Sequence, residues 1–354
     1  MSYLRHRVLA LETPILLSLI LLLVTFVAPS AGLSIENRAI VMLINVALVV
    51  GLYSFAGLSG VLTFGHMSFM GIGAYAGALV TIPVVAKGSL LPDLPGFLAN
   101  AEVSLPIAIL IGGGLAALFA AIISLPIARL PGLALSLAMF AVLIICYQVE
   151  ANWDSLTRGR QALLGVPTNT TIWVALATAI GAMFVVFAYQ QSRFGLRLRA
   201  AREDEYSAAA TGVNIVRERR ISLVISGALI GVVGVVYAQY LGVFTPNDFY
   251  LDLTFMTIAM LVIGGTRSLT GAVIGPMLVA VLTYTLQQGE TVTGPGLQQV
   301  GLAIVMVLVL VFRPSGLTNG KELKLSTVVT RFRQGRADRN GRSSETDKAM
   351  TAVE

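Results

Sequence analysis

RFGLRLRAAREDEYSAAATGVN, residues 193–214, is a charged island between two long apolar runs. It is too rich in arginine and acid to enter a bilayer and too rich in helix formers to be a loose loop. The spacing predicts a helix over 196–211, with Leu198, Ala201, Glu205, Ala208 and Gly212 near one face. Arg199 and Glu203 stand i,i+4 on the solvent side of that helix, a pair worth about 0.2–0.5 kcal/mol. Gly212 is the stop signal. A membrane protein that sets its best-patterned helix outside the lipid is presenting a docking surface.

The remainder reads as membrane. Of 354 residues, 56% are hydrophobic and 12% charged, with a mean hydropathy of +0.83, whereas a soluble domain carries about 25% charged residues. The net charge of +6 reports topology in such a chain, not nucleic-acid binding. Cys146, the single cysteine, lies in an apolar run and is small apolar filler; it forms no disulfide within the chain and no zinc or iron–sulfur site. The basic start and the apolar 14–28 have the flanks of a signal peptide. The run is long for one, however, and no cleavage site is clear, so a retained first span is expected.

Ten apolar segments are candidate crossings: 11–29, 39–56, 61–83, 105–128, 132–149, 171–189, 221–242, 253–265, 271–286 and 297–312. The later ones are short, which suggests broken or re-entrant helices. The fold class is therefore an all-α polytopic membrane bundle of about ten segments. With both termini cytoplasmic, 20 of the 24 Lys and Arg fall inside, leaving Arg38, Lys87, Arg158 and Arg160 outside. Three regions follow: a cytoplasmic end with the first span (1–38), a transmembrane core (39–317) carrying the loop 193–220, and a disordered basic tail (318–354) able to hold anionic membrane lipid.

GLSGVLTFGHMSFMGIGAYAGALV, residues 57–80, contains Gly57, Gly65, Gly71 and Gly73, a run too permissive for a lone helix. In membranes such glycines give close helix packing or mark broken helices along a pathway. Gly264 and Gly265, in IGGTRSLTGAVIGP (263–276), have the same character. His66 lacks carboxylate or thiol companions, so it is a poor metal ligand; it reads as a neutral packing residue beside the pathway, not a substrate ligand. Arg267 serves topology. GLTNGKE (316–322) has the wrong spacing for a nucleotide-binding loop and no Ser or Thr after Lys321. Asp248 and Asp252 lie together near an outer interface, so no membrane protease is built, and no Ser-His-Asp set suggests itself. The chain is not expected to be an enzyme, and no cofactor or metal is expected.

Residues 57–80, 193–242, and 260 through to VFRPSGL at 311–317 resemble, in order, the Liv-type permeases of branched-chain amino acid ABC importers, and the FRPSGL ending is nearer the M-type subunit than the H-type. The resemblance implies that EYSAAATG (205–212) seats in a separate ATPase, with Arg199, Ala201, Arg202, Glu203, Glu205, Ala208, Ala209 and Gly212 as coupling residues. It also implies a second, H-type permease, cytoplasmic ATP-binding subunits, an extracytoplasmic substrate-binding protein and a bacterial inner-membrane location. The implied cargo is Leu, Ile and Val, with urea or short amides as an alternative. An ion-coupled secondary transporter is the competing class, and it requires mid-membrane carboxylates that these spans hardly offer.

Overall fold

Each of the ten apolar segments overlaps a helix in the computed structural model, which describes residues 2–293, 297–313, 316–320 and 322. Chain order is α1 (Ser2–Val27), α2 (Leu33–Ser59), α3 (Met67–Thr81), α4 (Val84–Leu90), α5 (Gly96–Ala99), α6 (Leu105–Ile127), α7 (Gly132–Asn152) and α8 (Asp154–Thr157). It continues with α9 (Ile172–Gln191), α10 (Arg193–Glu203), α11 (Glu205–Ala210), α12 (Ile215–Leu241), α13 (Leu251–Gly264), α14 (Leu269–Thr293) and α15 (Leu297–Phe312). Among the described residues, the only strand-like pairing is one bridge between Leu163 and Phe244.

Ten helical segments are not ten equivalent crossings. Among the described residues, seven helices are long and apolar enough to span a membrane, or eight if the pair α3 and α4, bent by 115°, counts as one span. The helical apolar stretches Glu12–Val27 and Val300–Val309 are shorter. The segment expected at 61–83 is corrected most: Gly60 ends α2 at φ +76°, residues 60–66 run without helix, and α3 begins only at Met67. The backbone at Gly65 lies directly against the Met139 carbonyl of α7, so a side chain there would collide with main chain.

Burial orders the helices. The apolar stretch of α2 is 94% buried, so this helix is the axis of the bundle and meets almost no lipid. α9, α12 and α14 pack on it, and α12 joins it to α3 and α6, with which α12 forms one tight block. At its contacts glycine meets backbone or a methyl group: Gly73 against the Gly231 carbonyl, Gly234 against the Met70 carbonyl, and Gly227 and Gly231 against the Ala120 and Ala116 methyls. Lipid tails are as apolar as leucine, so hydrophobicity does not drive this association; close van der Waals approach does, and only small residues permit it. α7 is the exception, with under a third of its apolar stretch buried.

The contacts also sort the ends. Arg219 and Arg220 at the start of α12 reach the Leu130 and Leu125 carbonyls beyond and within the end of α6, and α10 meets the end of α2. The α13–α14 turn joins them through Arg267. At the opposite end Tyr147 pairs with Asn247, Tyr240 with the Asn37 carbonyl, and Arg38 with Gln287. The residues expected on one side of the membrane thus gather at one end, hereafter the basic end. The expected tail is docked as far as Glu322, and its remainder lies outside the described residues.

Candidate functional site

The island is two helices, not one. Asp204 takes an extended backbone (φ −154°, ψ 112°), and its carboxylate accepts from the Tyr206 and Ser207 amides at 2.9 and 3.1 Å. A short acid that satisfies the free amides of a new first turn is a strong start signal, and it overrides helix propensity across 196–211. The Ser207 hydroxyl and these amides hold the Asp204 carboxyl below its usual range. Upstream, Ser192 caps α10 by accepting from Gly195.

Breaking the helix redirects its faces. Leu198, Ala201 and Ala208 are buried against the rest of the chain, so the small-residue face expected to dock outward mostly packs inward. The expected Arg199–Glu203 pair gives way to one between Glu203 and Arg267 of the α13–α14 turn, at 2.7 Å. That partner holds the Glu203 carboxyl below the ordinary carboxylate range. Glu205 pairs with the buried Arg219 of α12, and Arg197 lies 3.6 Å from the buried Glu218 of the same helix. Arg202 points inward, donating to the Gly57 carbonyl of α2 at 2.5 Å. What remains exposed is the tip: Tyr206, 90% exposed, with Ala209, Ala210 and Gly212. Gly212, at φ +85°, turns the chain back towards α12.

The second set of expected residues packs instead of lining an open channel. Gly57 lies beneath the Tyr53 ring one turn earlier, Gly65 against Met139, Gly71 against the Glu150 carboxylate and Gly73 against Gly231. Gly264 touches Gly271 and Gly275, and Gly265 faces Gly316 of the C-terminal segment. His66 is 1% exposed; its Nδ1 is 2.6 Å from the Thr63 hydroxyl, its ring leans on Phe55 and Phe69, and its Nε2 has no hydrogen-bond partner among the described residues. No group of three or more His, Cys, Asp or Glu able to hold a metal occurs among the described residues.

One face differs from the rest. Along the unwound 60–66 segment Gly60 and Leu62 are exposed, and Phe64 meets Phe140 of α7 and Phe255 of α13 edge-on. The Ser136 hydroxyl of α7 donates to the Leu62 carbonyl at 2.5 Å. Non-helical backbone cannot face lipid tails, because its amides and carbonyls have no partner there. Protein or water must cover this face.

Two residues escaped sequence reasoning. Glu150 is 9% exposed, with Oε1 sealed against Gly71 and without a hydrogen-bond partner among the described residues. Its signal was present, since Leu135, Met139, Leu143, Cys146 and Glu150 form one helical stripe. The other is Glu322, within the string that imitates a nucleotide loop. Its carboxylate accepts from the Leu269 and Thr270 amides at 2.9 and 3.1 Å and from the Thr270 hydroxyl at 2.7 Å, capping α14 from beyond α15.

Residues 34–310 match a family model described as branched-chain amino acid transport system / permease component. A high-affinity branched-chain amino acid transport system permease protein LivM of Salmonella typhimurium is 25% identical over 308 residues, 79% of this chain and 68% of that protein. A probable branched-chain amino acid transport permease protein LivH of Methanocaldococcus jannaschii is 28% identical over 190 residues, 51% of this chain and 56% of that one. A nucleoside ABC transporter permease protein NupC of Lactococcus lactis is 28% identical over 147 residues, 41% of this chain and 44% of that one. No solved structure matches the chain.

Proposed function

The chain belongs to the permease-component family of branched-chain amino acid transport systems, and we propose that it is an M-type subunit that moves Leu, Ile and Val across a bacterial inner membrane. The observation that carries this reading is the α10–α11 pair, anchored to α2, α12 and the α13–α14 turn with its tip left open. An element tied so firmly to the bundle transmits a push, and an exposed tyrosine on small residues suits a groove in another protein. The partner at the tip is a cytoplasmic ATPase, which supplies the ATP hydrolysis for which this chain has no loop. The docking contact therefore moves from Ala208 to Tyr206, Ala209, Ala210 and Gly212. Arg199, whose side is exposed, borders it.

An H-type permease covers the face of Gly60, Leu62 and Phe64, and the cargo passes between the two subunits along that seam. An extracytoplasmic binding protein delivers the cargo at the end opposite α10. In this arrangement both termini are cytoplasmic, with α1, α15 and the bent α3–α4 pair joining the seven longer helices to make ten crossings. A reporter fused beyond residue 322 should read as cytoplasmic; an external signal would overturn the orientation.

The test is composition and coupling of the purified complex. Affinity capture of this chain should bring down a second permease and two ATP-binding subunits, and leucine-loaded binding protein should stimulate ATP hydrolysis in vesicles. A chain that purifies alone and transports leucine on an ion gradient would defeat the proposal. The likeness to the nucleoside permease favours one second reading, nucleoside cargo. Uptake of labelled uridine but not leucine would select it.

A further inference from the structure

At the α2–α3 break the chain leaves the helix beside the bundle axis, and a side chain from the proposed coupling element reaches it. The last carbonyls of a helix have no partner within it. In α2 the Ala56 carbonyl is taken by the Gly60 amide, and the Gly57 carbonyl by Arg202 of α10. The stem of Arg202 then lies over Gly60, its Cγ 2.8 Å from where a β-carbon would stand. Gly60, at φ +76°, is both the cap of α2 and the first residue of the unwound segment that leads to His66 and α3.

Other contacts hold α2 higher up. Ser222 and Ser226 of α12 donate to the Ser54 and Gly51 carbonyls at 2.7 and 2.8 Å, and Tyr53 donates to Gln190 of α9 at 3.2 Å. These fix α2 to the rigid block. Among the described residues Arg202 makes the side-chain hydrogen bond that joins its final turn to α10, and a positive group at a helix C-terminus is also favoured by the helix dipole.

We propose that Arg202 is a positioning residue for transport: through its grip on Gly57 and Gly60, displacement of α10–α11 repositions the unwound 60–66 segment and the start of α3. The inference rests on the importer reading and adds to it the path by which ATP turnover reaches the membrane interior. Arg202 faces into the chain and not the ATPase, so losing it leaves docking intact.

The full importer, reconstituted in lipid vesicles with leucine-loaded binding protein, tests this by measuring leucine taken up per ATP hydrolysed. Arg202→Ala should keep stimulated hydrolysis within about twofold while uptake per ATP falls about tenfold or more, within the 5–150-fold span of ordinary coupling energies. Arg202→Lys retains a donor for the Gly57 carbonyl and should recover most of that loss. Gly60→Ala leaves the charge in place but forces the Arg202 stem aside, so it should uncouple similarly; it also decides the matter if Arg202→Ala fails to assemble. Parallel loss of hydrolysis and uptake, no rescue by lysine, or a fully coupled Gly60→Ala would each overturn the proposal. A wild-type complex that hydrolyses ATP without moving leucine would instead overturn the importer reading itself.

Discussion

The α3–α6–α12 block and the α10–α11 pair are both held tightly, but by opposite means. In the block, glycine lets backbones approach closely, and Arg219 and Arg220 bond carbonyls of the α6 end at its rim. In the pair, charged side chains make the joints: Arg202 to Gly57, Glu203 to Arg267 and Glu205 to Arg219. Shape complementarity of the first kind is unforgiving, because a close-packed interface has no room to adjust. Charge joints of the second kind act over a range of distances and weaken with salt. The molecule thus pairs a rigid body with a connector that can shift and still hold.

The contrast breaks most decisively if the block tolerates bulk. Gly234→Leu would drive a side chain into the Met70 carbonyl, and overpacking of this kind costs about 1–3 kcal/mol or more. The expected outcome is a large drop in the thermal midpoint of detergent-purified protein; an unchanged midpoint would mean the block is looser than its distances state. Next comes the outer face of the connector. Tyr206→Ala should leave that midpoint alone and weaken ATPase association about tenfold, the cost of a typical buried aromatic anchor. Ala208→Trp, whose site is buried inside the chain, should lower the midpoint itself. If only Ala208→Trp disturbed docking, the open tip would not be the contact.

Smaller effects sharpen the comparison. Glu205→Gln leaves the Arg219 guanidinium without its charged partner at a cost of about 1–3 kcal/mol. The loss should appear as faster proteolysis near 204–212, with the transmembrane block unaffected. His66→Gln should be nearly silent in assembly and transport, since an amide replaces one imidazole hydrogen bond to Thr63; loss of transport with intact assembly would make His66 a pathway residue. Acid should produce the smallest change. The Asp204 and Glu203 carboxyls are held below their ordinary values, so their contribution is complete above pH of about 4 and is lost as pH falls through the lowered values. Amide exchange at Tyr206 and Ser207 should therefore accelerate below that pH before the block responds. Simultaneous acceleration throughout would erase the distinction between the two regions.

Much of this was legible from the chain. Long apolar runs have few alternatives to helices in lipid, which is why seven of the expected segments appear as long apolar helices among the described residues, while 61–83 loses its first turns to the glycine break at 60–66. Glycines at 57, 65, 71 and 73 announced close approach, and each is pressed against a neighbour. The break at Asp204 was readable too, as an acid followed by Glu-Tyr-Ser, but helix periodicity on both sides concealed it. The targets of Arg202 and Glu205 were beyond reach. Arg202 lies 145 residues from the carbonyl it binds, and no local pattern encodes a partner at that distance. For the same reason the burial of Ala208 inside the chain could not be read: spacing defines a stripe on a helix, not the direction in which the stripe points.

The Glu322 cap gives the fold a clock. Leu269 precedes its carboxylate partner by 53 residues, which at 5–20 residues per second takes about 3–10 s to synthesise. For that interval α14 exists with the amides of its opening turn unanswered, beside a pathway still lacking its last helix. Only when Glu322 arrives is the turn sealed, so the order of synthesis makes the closing of this helix one of the last events in building the protein.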